Sequence, residues 1–157
     1  MKAVLQRVSS ADIVINGVPG GELPKGGLVV LLGVEQGDQL QDVPLLAEKI
    51  ANLRIFEDEN QKLNLSLQQQ GGGIMVVPNF TLAANCRKGR RPSFENSAER
   101  QLANTCFEQM VAYFKQLGIS TVAGEFGADM QVSLTNDGPV TLVITTQELL
   151  APKRGNK

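Results

Sequence analysis

Residues 28–34 (LVVLLGV) carry no polar side chain at any position. A strand of this composition offers neither face to water, so it belongs in the middle of a sheet that is covered on both sides. The run is the longest apolar stretch in the chain, yet it falls far short of the ~20 residues needed to span a bilayer. With 157 residues, 42% of them apolar, the chain is near the size of one domain and has enough material for a real core.

Elements are expected on both sides of this strand. Residues 2–8 (KAVLQRV) alternate, placing Val4, Gln6 and Val8 on one face and Ala3, Leu5 and Arg7 on the other. Residues 13–15 predict a second short strand. Asn16-Gly17 suits a type I′ turn that returns the chain through residues 18–23 as an irregular edge containing Pro19, Gly20 and Gly21. Val43, Leu46, Ala47, Ile50 and Leu53 recur at helical spacing after Asp42, an expected N-cap, with Pro44 tolerated in the first turn. Leu63, Leu65 and Leu67 alternate as a strand, and residues 68–73 (QQQGGG) read as a loop. Those glycines suit plain turn chemistry, or less often close approach by a ligand.

Residues 74–77 restart a strand that runs into PNFTL, followed by a loop over residues 83–92. A second helix is expected from Asn96, with Glu99 completing a capping box, a buried stripe of Leu102, Cys106, Met110, Phe114 and Leu117, and Gly118 past its end. Strands follow at residues 120–124, 129–134 and 140–146. Two helices beside about seven strands in mixed order indicate an α+β class. The expected organisation is a single domain over residues 1–146 with a flexible tail at 147–157.

Function is narrowed first by a missing residue type: the chain has no histidine. That excludes Ser-His-Asp and Cys-His catalysis and most zinc sites, leaving backbone groups, hydroxyls, carboxylates, lysine or the substrate itself. No metal or cofactor is called for. Cys86 and Cys106 stand 20 residues apart with no CxxC and no signal peptide, which argues for reduced thiols in the cytoplasm. The formal net charge of −1 rules out a global attraction to polyanions, so any nucleic-acid contact must be local. Arg87, Lys88, Arg90 and Arg91 form the one dense basic cluster, which could hold phosphates or be a solvated loop. Asp58 and Glu59 read as surface residues of a turn. The stretch NDGP at residues 136–139 would ordinarily be a hairpin turn.

The segments AVLQRV, GGLVVLLGV, LRIFEDENQKLNLSL, FTLAA, GRRPSF and FGADMQVSLTNDGPVT, in this order, resemble the D-aminoacyl-tRNA deacylase family over residues 2–146. The resemblance implies that family's fold, a mixed, largely antiparallel barrel-like sheet with two main helices. It implies a cytoplasmic homodimer, not membrane-bound, that hydrolyses D-aminoacyl-tRNA and glycyl-tRNA. Each site would combine the family's S-Q-x-T-L segment of one subunit with N-x-G-P-V-T of the other, here Pro78, Asn79, Phe80, Thr81 and Leu82, and residues 136–141, which begin at Asn136. Backbone N–H groups near Phe80 and Thr81 would polarise the ester carbonyl. A cis Gly138-Pro139 bond would project its carbonyls into the partner's pocket, with Gly138 accepting the substrate's ammonium group and Arg7 clamping the segment. Met130 would line the substrate site, and the 2′-hydroxyl of the terminal adenosine would assist the attacking water. A D side chain would point out of the pocket, whereas an L side chain would strike the Gly-Pro backbone. Glycine, with no side chain to exclude, would be accepted.

Pro78 and Asn79 depart from the family's serine and glutamine, and proline removes a backbone donor. A related animal deacylase acting on L-alanyl-tRNA also has proline first, though with a small residue where this chain has Phe80. The alternatives are therefore a deacylase of relaxed chirality and a catalytically silent tRNA-binding dimer.

Overall fold

The computed structural model describes residues 1–152, and the apolar run becomes its third strand. That strand, β3 (Gly27–Gly33), lies between β1 (Lys2–Ile15), antiparallel to it, and β6 (Gly73–Pro78), parallel to it. β2 (Val18–Leu23) and β7 (Thr121–Ala123) end the row, and β2 curls round to pack against β7, giving the mixed sheet its barrel-like shape. One edge of β1 serves two partners: residues 2–8 pair with β3 and residues 11–15 with β2. Its other edge is followed from end to end by β8 (Met130–Thr145). A separate ribbon is formed by β4 (Phe56–Glu57) and β5 (Leu63–Leu65).

Both faces of β3 are dry, as its composition requires. Leu28, Val30 and Leu32 face α1 (Val43–Asn52) and α3 (Arg100–Gln116), which contribute Val43, Leu46, Ile50, Cys106, Met110 and Phe114 at helical spacing. Val29 faces a smaller cluster of Val8, Ile13, Leu23, Met75 and Val77, with Met130 and Val132 at its margin. Each such fully buried side chain contributes roughly 1.5–3 kcal/mol, so β3 is the seam between two cores. Burial pushes the Cys106 thiol up, and nearby Asp38 adds to this, so the residue packs as an apolar side chain. Among the described residues no helix is long and apolar enough to cross a membrane.

Several elements differ from the sequence expectation. The strands expected at 2–8 and 13–15 are one, because β8 supplies partners across the gap, Ser10 pairing with Thr135. Leu67 opens α2 (Leu67–Gln70) instead of ending a strand: Ser66 and Gln69 form a reciprocal capping box, and Gly71 terminates the turn at φ 79°. The QQQ segment is thus helical. Asp42 is the N-cap residue of α1 but makes no side-chain bond to it; its carboxylate instead accepts from the Gln39 amide at 3.3 Å and closes the 3₁₀ turn Leu40–Asp42. α3 starts at Arg100, with Glu99 as an N-cap that makes no side-chain bond, because residues 93–98 are held by the loop before it. The strands expected at 129–134 and 140–146 are likewise one strand, β8. Of the expected tail, residues 147–150 continue α4 (Thr146–Leu150), whose first residue is buried; residues 153–157 lie outside the described residues.

Candidate active site

β6 ends at Pro78, and the chain turns at once into a 3₁₀ helix, Phe80–Ala83. The Asn79 amide donates to Leu32 O at 2.8 Å, the Leu82 amide to Asn79 O at 3.3 Å and the Ala84 amide to Thr81 O at 3.1 Å. The amides of Phe80 and Thr81 come before the first donor of the turn, where a helix leaves N–H groups without internal partners. The turn sits close on β3 because of Gly33, where a Cβ would stand 2.8 Å from Leu82 Cβ and 3.1 Å from Asn79 O. The Thr81 hydroxyl donates to Asn79 Oδ1.

Phe80 is 54% exposed, unusual for so large an apolar side chain. Its ring makes an edge-on contact with Phe94, centroids 5.1 Å apart at 67°, and its carbonyl accepts from Ser97 Oγ at 3.3 Å. Two hollows meet at Pro78 and Phe80. One, of 290 Å³, is walled by Leu32, Val34, Phe107 and Phe126; the other, of 440 Å³, runs along Val77, Asn79, Met130 and Val132. Pro78, Asn79, Phe80 and Met130 are therefore neighbours.

The second segment is a bulge in β8 and not a hairpin. Gln6 pairs with Thr141 and Val8 with Asn136, so Asp137, Gly138, Pro139 and Val140 stand against Arg7 alone. Turn rules favour a reversal at NDGP, but the ladder to β1 resumes in the same direction on both sides. Arg7 is buried beneath the bulge. Its Nε donates to Asp137 O at 3.0 Å and its Nη1 to Ile55 O at 2.9 Å, while Glu57 and Asp137 carboxylates lie 3.7 and 3.4 Å from it. The Gly138-Pro139 bond is cis, and Gly138 has φ 124°, a conformation that L side chains rarely adopt. Asn136 and the bulge tip are exposed.

The two segments are anchored at different places on β1. The turn is tied to the start of β1, where Lys2 Nζ donates to Leu82 O at 3.2 Å, whereas the bulge lies over Arg7, five residues along. At ~3.3 Å per residue that is about 17 Å.

Arg87, Lys88, Arg90 and Arg91 lie exposed on a loop that leaves the turn directly. Its base is pinned by paired amide bonds between Asn85 and Ser93, at 2.7 and 3.0 Å. The loop then leads through Phe94 to Ser97, so the basic cluster and Phe80 share one support. Sequence reasoning missed Phe94 and Ser97 as that support, although Phe94 lies in the quoted GRRPSF. It also missed Ile55 and Glu57 as partners of Arg7, for which no local pattern gives a signal.

The family model described as D-Tyr-tRNA(Tyr) deacylase matches residues 4–145 of the chain. A D-aminoacyl-tRNA deacylase of Clostridioides difficile (strain 630) is 49% identical over 148 residues, covering 94% of this chain and 99% of that protein. One of Desulfatibacillum aliphaticivorans is 52% identical over 147 residues, covering 94% and 100%. Among solved structures, a c-Myc DNA unwinding element binding protein superposes with a TM-score of 0.84 at 33% identity, covering 92% of this chain and 98% of that one.

Proposed function

The chain belongs to the D-Tyr-tRNA(Tyr) deacylase family, and from that premise we propose how its residues divide the work of removing a D-amino acid from tRNA. The enzyme hydrolyses the ester of D-aminoacyl-tRNA, a proofreading step in translation. The observation that carries the residue assignment is the pair of uncommitted amides at Phe80 and Thr81. Two adjacent donors without internal partners suit the oxyanion that forms when water adds to the ester carbonyl. Collapse of that intermediate breaks the bond to the ribose 3′-oxygen, which leaves with a proton as the 3′-hydroxyl; the other product is the free D-amino acid. The substrate's 2′-hydroxyl assists the water, so no histidine is needed.

Each complete site takes the turn from one subunit and the Gly138 bulge from the other in a cytoplasmic homodimer. The ~17 Å of β1 between their anchor residues, Lys2 and Arg7, supports this reading. So does the outer edge of β8, which no strand covers among the described residues, the strand carrying exposed Leu134 and Val143. The Gly138 carbonyl accepts the ammonium group, and the bulge leaves no room for an L side chain. Glycyl-tRNA passes the same filter. Comparing D-, L- and glycyl-tRNA in one deacylation assay tests this: D- and glycyl esters should be cleaved, L-alanyl-tRNA spared. Cleavage of L-alanyl-tRNA would establish the relaxed reading that Pro78 and Asn79 favour, and binding without ester loss the silent one.

Thr81 acts through its backbone. Its hydroxyl is already engaged by Asn79 and has no base to activate it. Thr81→Ala should retain deacylation within about tenfold, against the ~10²–10³-fold loss on deleting a true oxyanion donor. A trapped acyl-threonine would overturn this assignment.

The basic loop binds phosphates of the acceptor stem. Reversing Arg87 and Arg91 to glutamate should weaken tRNA binding and flatten its dependence on salt, because fewer counterions are then released. An unchanged salt slope would reduce the loop to solvated surface.

A further inference from the structure

The 290 Å³ hollow beside Phe80 has an apolar wall and one cation at its rim, Arg100, the first residue of α3. Its guanidinium carbon lies 5.9 Å from the centroid of the Phe126 ring, within reach of a cation–π attraction. The group lies across the backbone of Gly127, where a Cβ would stand 2.5 Å from Nη2. Any side chain at 127 would push it off the rim. Arg100 is exposed, and among the described residues no carboxylate pairs with it. A stacked guanidinium keeps its full charge and most of its donors, and its planar fork matches phosphate oxygens. Neither the Phe80 turn nor the Gly138 bulge uses it.

Phe80 and Arg100 border the same hollow, so a ligand whose carbonyl reaches the turn can extend through that hollow to the arginine. In a charged tRNA the ester is attached to the ribose of the last nucleotide, and the nearest anion is the phosphate on the other side of that ribose. We propose that Arg100 binds this 5′-phosphate of the terminal nucleotide and so makes the enzyme prefer a nucleotide ester to the corresponding nucleoside ester. The contact is separate from the basic loop, whose four cations serve the stem. It rests on the deacylase reading given above.

The test uses 3′-D-aminoacyl-adenosine and its 5′-monophosphate as paired substrates, with wild type, Arg100→Gln and Arg100→Lys. Wild type should prefer the monophosphate. Arg100→Gln should reduce that preference about tenfold, or about 1.4 kcal/mol, chiefly by raising KM for the monophosphate. Arg100→Lys, which keeps the charge without the fork, should keep part of it. No preference in wild type, an unchanged preference in Arg100→Gln, or an equal loss on both substrates would overturn the proposal, the last by making Arg100 only a support for Phe126. Failure of wild type on both substrates and on D-aminoacyl-tRNA itself would instead remove the deacylase reading, and this inference with it.

Discussion

Gly138→Val is expected to lower single-turnover hydrolysis of D-aminoacyl-tRNA by at least ~10²-fold, the scale of losing a preorganised polar contact at a reacting centre. Two observations lead to this. The residue sits at φ 124°, which valine adopts only with strain, on the order of 1–3 kcal/mol. A Cβ there would also lie 2.9 Å from the Val140 amide nitrogen and 3.3 Å from Arg7 Nη2. The bulge must therefore shift, and its carbonyl with it. Because the bulge tip is exposed and lies outside both cores, the variant should stay folded, which circular dichroism and the thermal midpoint will check. Matched D- and L-aminoacyl-tRNAs give the rate and the chirality together. Wild-type values for both would refute the role given to this segment.

Arg7→Ala should weaken fold and filter at once. The side chain is 4% exposed and donates to two backbone carbonyls, Asp137 O and Ile55 O, and both lose that donor when the guanidinium goes. Two charge-assisted hydrogen bonds of roughly 1.5–3 kcal/mol each, discounted for water entering beside exposed Glu57 and Asp137, give a loss of about 2–4 kcal/mol. Activity should fall less than in Gly138→Val, since the bulge keeps its backbone but loses its support. Discrimination between D- and L-esters should narrow as the carbonyl wanders. Urea melts measure the first effect and the paired deacylation assay the second; an Arg7→Ala enzyme of wild-type stability would show that the buried contacts are not what holds the bulge.

Much of the fold was legible where a short window contains its own cause. LVVLLGV announced a strand dry on both faces, and the 3–4 spacing of Val43, Leu46 and Ile50 announced α1. The α3 stripe was equally plain, although its start was read four residues early because the loop bonds of residues 93–98 are not written in the capping pattern. β8 was hidden for the opposite reason: NDGP satisfies every local rule for a turn, and only a ladder to residues more than a hundred positions away keeps it extended. Arg7 could be placed on the apolar face of β1 by alternation alone. What it holds could not, since Ile55 and Asp137 lie 48 and 130 residues further on. The Phe80–Thr81 donors and the Gly138 segment were found by resemblance, and spacing alone would have left both as ordinary turns.

β1 has a further consequence for how the molecule tolerates error. The turn is fastened at Lys2 and the bulge at Arg7, so a single strand serves as the datum from which both parts of the site are gauged. A one-residue insertion between them would lengthen the gauge by ~3.3 Å and send every later side chain to the opposite face. Arg7 would then leave the side of the sheet where its carbonyl partners wait. In a symmetric pair of chains the same fault would be copied into both pockets, so this stretch of strand has no neutral length but its own.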